Sequence, residues 1–314
     1  PRAIVAILLL LTATTTFAQK IEKYYDYQWR LTDVAHARFY SLLEKNDSGW
    51  HCRDYYVRDA SLQFEGWYAD STRKTEEGKF EYDYPDQTTE IKGGFLHGKW
   101  QGPRIVYHPN GKMADSAVYD KGNAIGTSMA WFPNGYPSDS SFHNADGSGI
   151  QLKWFDNGNP SSAGLMATGL KKNGKWKFFH KNGQLSALEL YDNGKLVDKQ
   201  YFDEAGKPML DTTNRDRPAT YKAGMTAWLE YLGKHLHYPK GFVITNSDQA
   251  VVVIKMTVDE DGKIKDAFVR VPFYPDFDKI ALDVISKAPR WLPAMDHNRR
   301  VSAHLTQPVI FEEP

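Results

Sequence analysis

Few side chains in this sequence are spaced for chemistry. Cys52 sits in Trp50-His51-Cys52-Arg53, where His51 and Arg53 could favour a thiolate nucleophile. No second catalytic group stands at a recognisable spacing from it, and it reads as an incidental free thiol. It is the one cysteine in the chain, so an internal disulfide and a cysteine-rich zinc site are both excluded. His235 and His237 are two residues apart at the end of an expected helix and so face different sides, which makes a poor metal pair. Asp259-Glu260-Asp261-Gly262 has the acids of a calcium loop but lacks the bidentate Glu at the right spacing, and it reads as a hairpin turn. The sequence contains no Gly-x-x-x-x-Gly-Lys-Ser/Thr loop, no Gly-x-Ser-x-Gly elbow and no His-Glu-x-x-His pair. The expectation is a protein without catalytic residues, metal or cofactor, one that works by binding.

The 314 residues suggest two domains. Lys plus Arg and Asp plus Glu both number 39, and this zero balance lacks the basic field that nucleic-acid binding needs. Aromatic residues reach 14% beside 24 Gly, a mixture suited to aromatic strands joined by glycine turns. At the start, Arg2 precedes an uncharged apolar run to Leu11 and a Thr-rich exit to Ala18. That pattern is too short for a membrane span of about 20 apolar residues. It reads as a signal peptide over 1–18, which implies export to a bacterial periplasm. Membrane contact, through an inner-membrane anchor, is expected only if this leader stays uncleaved.

The middle of the chain repeats. Tyr107-His108-Pro109-Asn110-Gly111 returns as Trp131-Phe132-Pro133-Asn134-Gly135, Trp154-Phe155-Asp156-Asn157-Gly158 and Phe179-His180-Lys181-Asn182-Gly183. Weaker copies fall at Tyr82–Gln87 and Tyr201–Gly206. The turn positions 87, 111, 135, 158, 183 and 206 are 24, 24, 23, 25 and 23 residues apart. Each period holds a second glycine turn, such as Gly98-Lys99-Trp100, Gly174-Lys175-Trp176 or Asp192-Asn193-Gly194-Lys195. Asn-Gly turns are strong hairpin signals, so residues 61–211 should form an antiparallel meander of hairpins whose units stack in series. The phrase and its period resemble the MORN-repeat variant family, which implies a single-layer array of β-hairpins serving as a binding or scaffold surface, sometimes for lipid headgroups or proteins, and the array lacks the basic excess that lipid headgroups call for. An alternative function is a periplasmic scaffold whose repeat face binds a protein or glycan partner, with the C-terminal domain for docking or dimerisation. Residues 19–60 are expected to cap the first repeat, with Val34 to Leu43 weakly helical.

After Asp211 the period stops. Residues 212–220 are polar, end in a proline-containing stretch, and read as a linker. Met225, Trp228, Leu229, Leu232 and Leu236 then recur at helical spacing, predicting a helix near 222–236. Ala250–Val258 and Ile264–Val271 read as paired strands around Asp261-Gly262. Phe277, Ile280, Ala281, Val284 and Ile285 mark a second helix near 276–287, and Val301–Phe311 alternates as a last strand. The order α-β-β-α-β predicts a small α+β domain over 221–314.

Several signatures in this region resemble the C-terminal domain of the TonB energy-transducer family. They are Tyr238-Pro239 after the first helix, the Val251–Val258 strand with Asp261-Gly262-Lys263-Ile264, Phe277-Asp278-Lys279, Pro289-Arg290-Trp291-Leu292-Pro293-Ala294, and Pro308-Val309-Ile310-Phe311. The resemblance implies binding of a short extended segment of an outer-membrane TonB-dependent receptor, added as a strand to a sheet edge. Physical reasoning agrees, because an unpaired edge offers backbone groups that a peptide can satisfy. The residues expected to bind the peptide are Tyr238, Pro239, Val301, Ala303, Leu305, Gln307 and Val309. Two alternatives stay open: the edge pairs with its own copy in a homodimer, or the array caps it. Working transducers carry a membrane anchor and a Pro-rich spacer. Here the leader reads as cleavable and repeats fill that space, so peptide binding is expected rather than full energy coupling.

Overall fold

The computed structural model describes residues 19–244 and 249–312, and the expected leader lies outside them. From Lys20–Tyr25 to Lys195–Tyr201 the chain forms one 16-stranded antiparallel sheet in which successive strands pair. The short strand Lys99–Trp100 stands off this path, on Thr89–Leu96. Tight turns enforce the meander. At Asp192-Asn193-Gly194-Lys195 both central residues have positive φ, 47° and 90°, and Asp192 faces Lys195 across the hairpin. This two-residue geometry matches the twist of the flanking strands.

The other turn of each period explains the recurring phrase. In the copy at 131–135, the Phe132 N–H donates to Tyr136 O and the Gly135 N–H to Phe132 O, both at 2.8 Å. Asn134 works in two directions. Its Oδ1 accepts from the Tyr136 N–H at 3.0 Å, and its Nδ2 donates to the Asp156 carbonyl, one period on, at 2.8 Å. Asn110, Asn157 and Asn182 donate likewise to the carbonyls of Pro133, Lys181 and Glu204 at 2.9, 3.0 and 2.8 Å. The asparagine therefore holds its own turn and joins it to the next. Asn134→Ala should cost about 1–2 kcal/mol in urea unfolding, and Asn134→Asp, which keeps only the acceptor, roughly half as much.

Aromatic side chains fill the array. One cluster gathers Leu43, Trp50, Cys52, Phe64, Tyr68 and Phe80; another gathers Trp176, Phe178, Ala187 and Tyr201. Trp176 lies across Gly164, where an added Cβ would sit 2.2 Å from the indole ring. Burial pushes the Cys52 thiol well above its usual pKa, so a thiolate is disfavoured there. Beside it the Asp54 carboxylate, 1% exposed, takes hydrogen bonds from Arg73 Nη2 at 2.6 Å, Arg73 Nη1 at 3.0 Å and the Ser41 hydroxyl.

Residues 34–43 correct the sequence reading. Only Val34–His36 is helical, a single 3-10 turn capped by Asp33, and Phe39–Asn46 is a strand. Phe39, Ser41 and Leu43 are buried and alternate with half-buried neighbours, a period of two that pairing with Gly49–Tyr56 enforces. The strands Lys20–Tyr25, Phe39–Asn46 and Gly49–Tyr56 lie within the large sheet itself.

Partly buried Asp83 carries a strain that pH can read. Burial, then the charges of Glu81 and Glu65, raise its carboxyl to about 6. The folded pKa lies above the unfolded one, so the ionised group destabilises the protein above pH 6, and this cost fades as pH falls towards 4. Asp83→Asn should therefore stabilise by about 1 kcal/mol at pH 7, allowing for solvent screening, and by nothing below pH 4. Thermal unfolding at the two pH values measures the difference.

The C-terminal region folds as the α+β unit expected. Helices Gly224–His235 and Pro275–Ser286 pack on a three-stranded antiparallel sheet. Ala250–Val258 is central, with Ile264–Val271 on one side and the closing strand Ala303–Phe311 on the other. A small hairpin, Ala294–Asp296 with Arg299–Val301, precedes the closing strand. Val252, Ile254, Met256 and Val258 join Trp228, Leu232, Phe277 and Ile285 in the helix-side core. Val251 and Val253 point the other way and pack with Phe39 and Tyr56 of the array. A central strand buried on both faces needs two covers, and the array supplies the second. No helix among the described residues is long and apolar enough to cross a membrane.

Candidate functional site: an open strand edge beside a groove

The domain is anchored along the array by charge and shape. Arg270 pairs with Glu90, and Tyr84 meets Phe268 edge to face at 5.6 Å. Lys265 reaches Asp156 at 3.3 Å, and Lys181 reaches Glu260 at 2.6 Å. The small hairpin inserts its tip. His297 and Asn298, both at positive φ, make its two-residue turn. The His297 ring stacks on Phe178 at 3.7 Å, and Asn298 Nδ2 donates to the carbonyls of Ser186 at 3.2 Å and Phe202 at 2.9 Å. Lys172 Nζ donates to His297 Nε2 at 2.8 Å, so the ring accepts there and donates from Nδ1 to Glu189 at 2.9 Å. Burial pushes the Glu189 carboxyl up, but bonds from His297 and Tyr191 outweigh it and hold the carboxyl below its usual range.

This docking leaves the closing strand at an edge, paired with Ala250–Val258 alone. Pro308 faces Val253 in that register and has no N–H to give. The ladder stays complete if Pro308 turns its backbone away from the central strand. By alternation His304, Thr306 and Ile310 then also aim their N–H and C=O groups outward. Among the described residues no backbone hydrogen bond beyond the ladder reaches this strand. The Pro308 carbonyl takes the Gln307 side-chain amide at 2.6 Å. The edge therefore offers three donors, from His304, Thr306 and Ile310, and their three carbonyls.

The structure places the expected binding residues as follows. Ala303, Leu305, Gln307 and Val309 turn their side chains towards the helices. Val309 is fully buried, and Gln307 Oε1 accepts from Trp228 Nε1 at 2.9 Å. Val301 ends the small hairpin opposite Ala294 and packs on the same core. Tyr238 lies edge to face against Phe277 at 5.2 Å, supporting the second helix, and Pro239 follows in the same segment. The structure thus gathers 303–309 along one strand, leaves Val301 on the hairpin before it, and sets Tyr238 in the helix-side packing.

The opposite row, His304 and Thr306, faces the array across a groove of about 950 Å3. Tyr84, Trp131 and Trp154 line the array side, and Arg299 lines the floor from the small hairpin. Sequence reasoning singled out neither this row nor Arg299. Pro308 was the available signal for the row, since an edge proline sets which backbone groups face out. Nothing local marked Arg299, because the array partners come from residues more than a hundred positions away.

No curated protein matches this chain. Residues 172–193, which span the strands Lys171–Phe179 and Leu185–Asp192 almost entirely, match the MORN repeat variant family. Residues 234–312 match the family of the Gram-negative bacterial TonB protein C-terminal, and the chain therefore carries a TonB-type C-terminal domain behind a hairpin array of which one unit matches the MORN repeat variant.

Proposed function

We propose that this chain is a non-enzymatic envelope protein that captures an extended segment of an outer-membrane TonB-dependent receptor, added as a fourth strand along Ala303–Phe311. The observation that carries this reading is the unpaired outer edge of that strand, with the N–H groups of His304, Thr306 and Ile310 facing out. Main-chain hydrogen bonds would supply affinity, and the side chains of alternate peptide residues would supply selectivity. The array acts as a rigid mount, because its ion pairs and the inserted hairpin hold the domain with this edge open. The protein acts in the periplasm, after export.

A homodimer formed through the same edge competes with this reading, and both are measured together. The full chain is titrated with peptides copied from the plug segments of the organism's own receptors, and amide hydrogen exchange is followed. Binding that slows exchange at His304, Thr306 and Ile310 supports capture. Protection of those amides without peptide, rising with protein concentration, supports the dimer. Flat titrations with every peptide overturn the proposal.

A further inference from the structure

A buried cation without an ion-pair partner lines the groove. Arg299 is 5% exposed. Its Nη2 donates to the Ser161 hydroxyl at 3.3 Å, and its Nε and Nη1 have no hydrogen-bond partner. Its guanidinium carbon lies 5.0 Å from the centre of the Phe178 ring. Among the described residues no carboxylate comes within ion-pair distance of it. Asp296, its cross-strand neighbour, is half exposed and lies 3.6 Å from His297, Glu189 is occupied by His297 and Tyr191, and these two and Asp216 act on Arg299 only from a distance.

Most of the other acids that border the groove already hold a base, and Asp266 is exposed to solvent. Asp139 holds Lys153 at 3.5 Å, Asp156 holds Lys181 and Lys265 at 2.6 and 3.3 Å, and Glu90 holds Arg270. Removing a guanidinium from water is costly unless a partner satisfies it. Burial drags this group down to about 10, although the more distant charges of Asp296, Glu189 and Asp216 pull the other way. A buried cation without a partner, lining a groove that also contains the open edge of the closing strand, is an arrangement completed by something that enters the groove.

We infer that Arg299 is a carboxylate-recognising position within this groove, and that the extended peptide captured along the closing strand is an acidic one whose carboxylate reaches the groove floor between Trp131 and Trp154. The inference rests on the strand-capture reading and adds the chemical class of the partner. A guanidinium and a carboxylate form charge-assisted, often bidentate bonds, and these are strongest where water is excluded. The carboxylate can come from a Glu or Asp side chain or from a free C-terminus, which offer the same group.

The test uses the full chain and N-acetylated octapeptides of alternating Thr and Val. Each carries Glu or Gln at its last position and is made both as a C-terminal amide and as a free acid. Affinities are read by tryptophan fluorescence in low salt. Peptides with a carboxylate should bind at least about 10-fold tighter than the Gln amide. The stronger of the Glu amide and the Gln acid identifies the source of the group. Arg299→Met and Arg299→Gln should abolish the preference with little change in thermal stability, because the lost Ser161 bond is offset by removing a buried charge that makes no ion pair. A purely structural arginine would lower stability and leave the preference intact. Equal binding of all four peptides overturns the inference and leaves strand capture standing. Failure of every peptide to bind removes both. The wild-type comparison alone decides between these outcomes if neither variant folds.

Discussion

Thr306→Pro should weaken capture of an extended peptide by at least about 10-fold while leaving the fold near wild-type stability. The outward register of the closing strand dictates both halves of this result. Thr306 faces Lys255 in the same class of pair as Pro308 and Val253, so its N–H points to the open edge and takes no part in the ladder. Proline there removes one of three edge donors and puts a ring where the incoming strand must lie. Leu305→Pro is the matching control. Its N–H faces Ala250–Val258, and Leu305 packs on the helix-side core. That change should cost about 3 kcal/mol of stability. Binding by fluorescence and stability by urea unfolding separate the pair. If Thr306→Pro binds like wild type, strand addition at this edge is wrong.

Arg73→Met should destabilise the first hairpins by about 3–5 kcal/mol, the largest stability loss expected of one substitution in the array. Among the described residues its two bonds to Asp54 are the one ion pair of a carboxylate with 1% exposure, and only the Ser41 hydroxyl and the Cys52 thiol, at 3.5 Å, would remain. Breaking one side of a buried pair leaves the other charge stranded. Asp54→Asn combined with Arg73→Met should recover much of the loss, because an amide needs no counter-ion. Hydrogen exchange along Phe39–Asn46 and Gly49–Tyr56 measures the effect where it acts. A loss below about 1 kcal/mol in the single variant would show that water reaches Asp54.

How much of this could be read in advance depended on the range of the interactions. The hairpin repeats were legible because Asn-Gly turns are local and recur at a constant interval. Both C-terminal helices fell within two residues of their expected ends, since Trp228, Leu232, Phe277 and Ile285 mark the buried stripe directly. Phe39–Asn46 was misread because its alternation is weak, and it becomes a strand through pairing on both sides. The closing strand was legible as an edge. Which of its rows faces the groove depended on Pro308 and on the array lying opposite. The docking itself was hidden: Asp296-His297-Asn298-Arg299 looks like any polar turn until Phe178, Glu189 and Ser161 are brought to it.

The string of attachments between domain and array has a consequence for how the protein can change size. Adjacent strands lie about 4.8 Å apart, so one period of two strands advances the sheet by about 10 Å. Arg270 and Lys265 are five residues apart on one short strand, yet they grip Glu90 and Asp156, which belong to different periods. Inserting or deleting a single period between those two acids would carry one of them out of reach of its base. Open-ended solenoids lengthen and shorten freely, but here the C-terminal domain acts as a gauge laid along the hairpins. It holds their copy number constant over the stretch it measures, and growth is tolerated only beyond its ends.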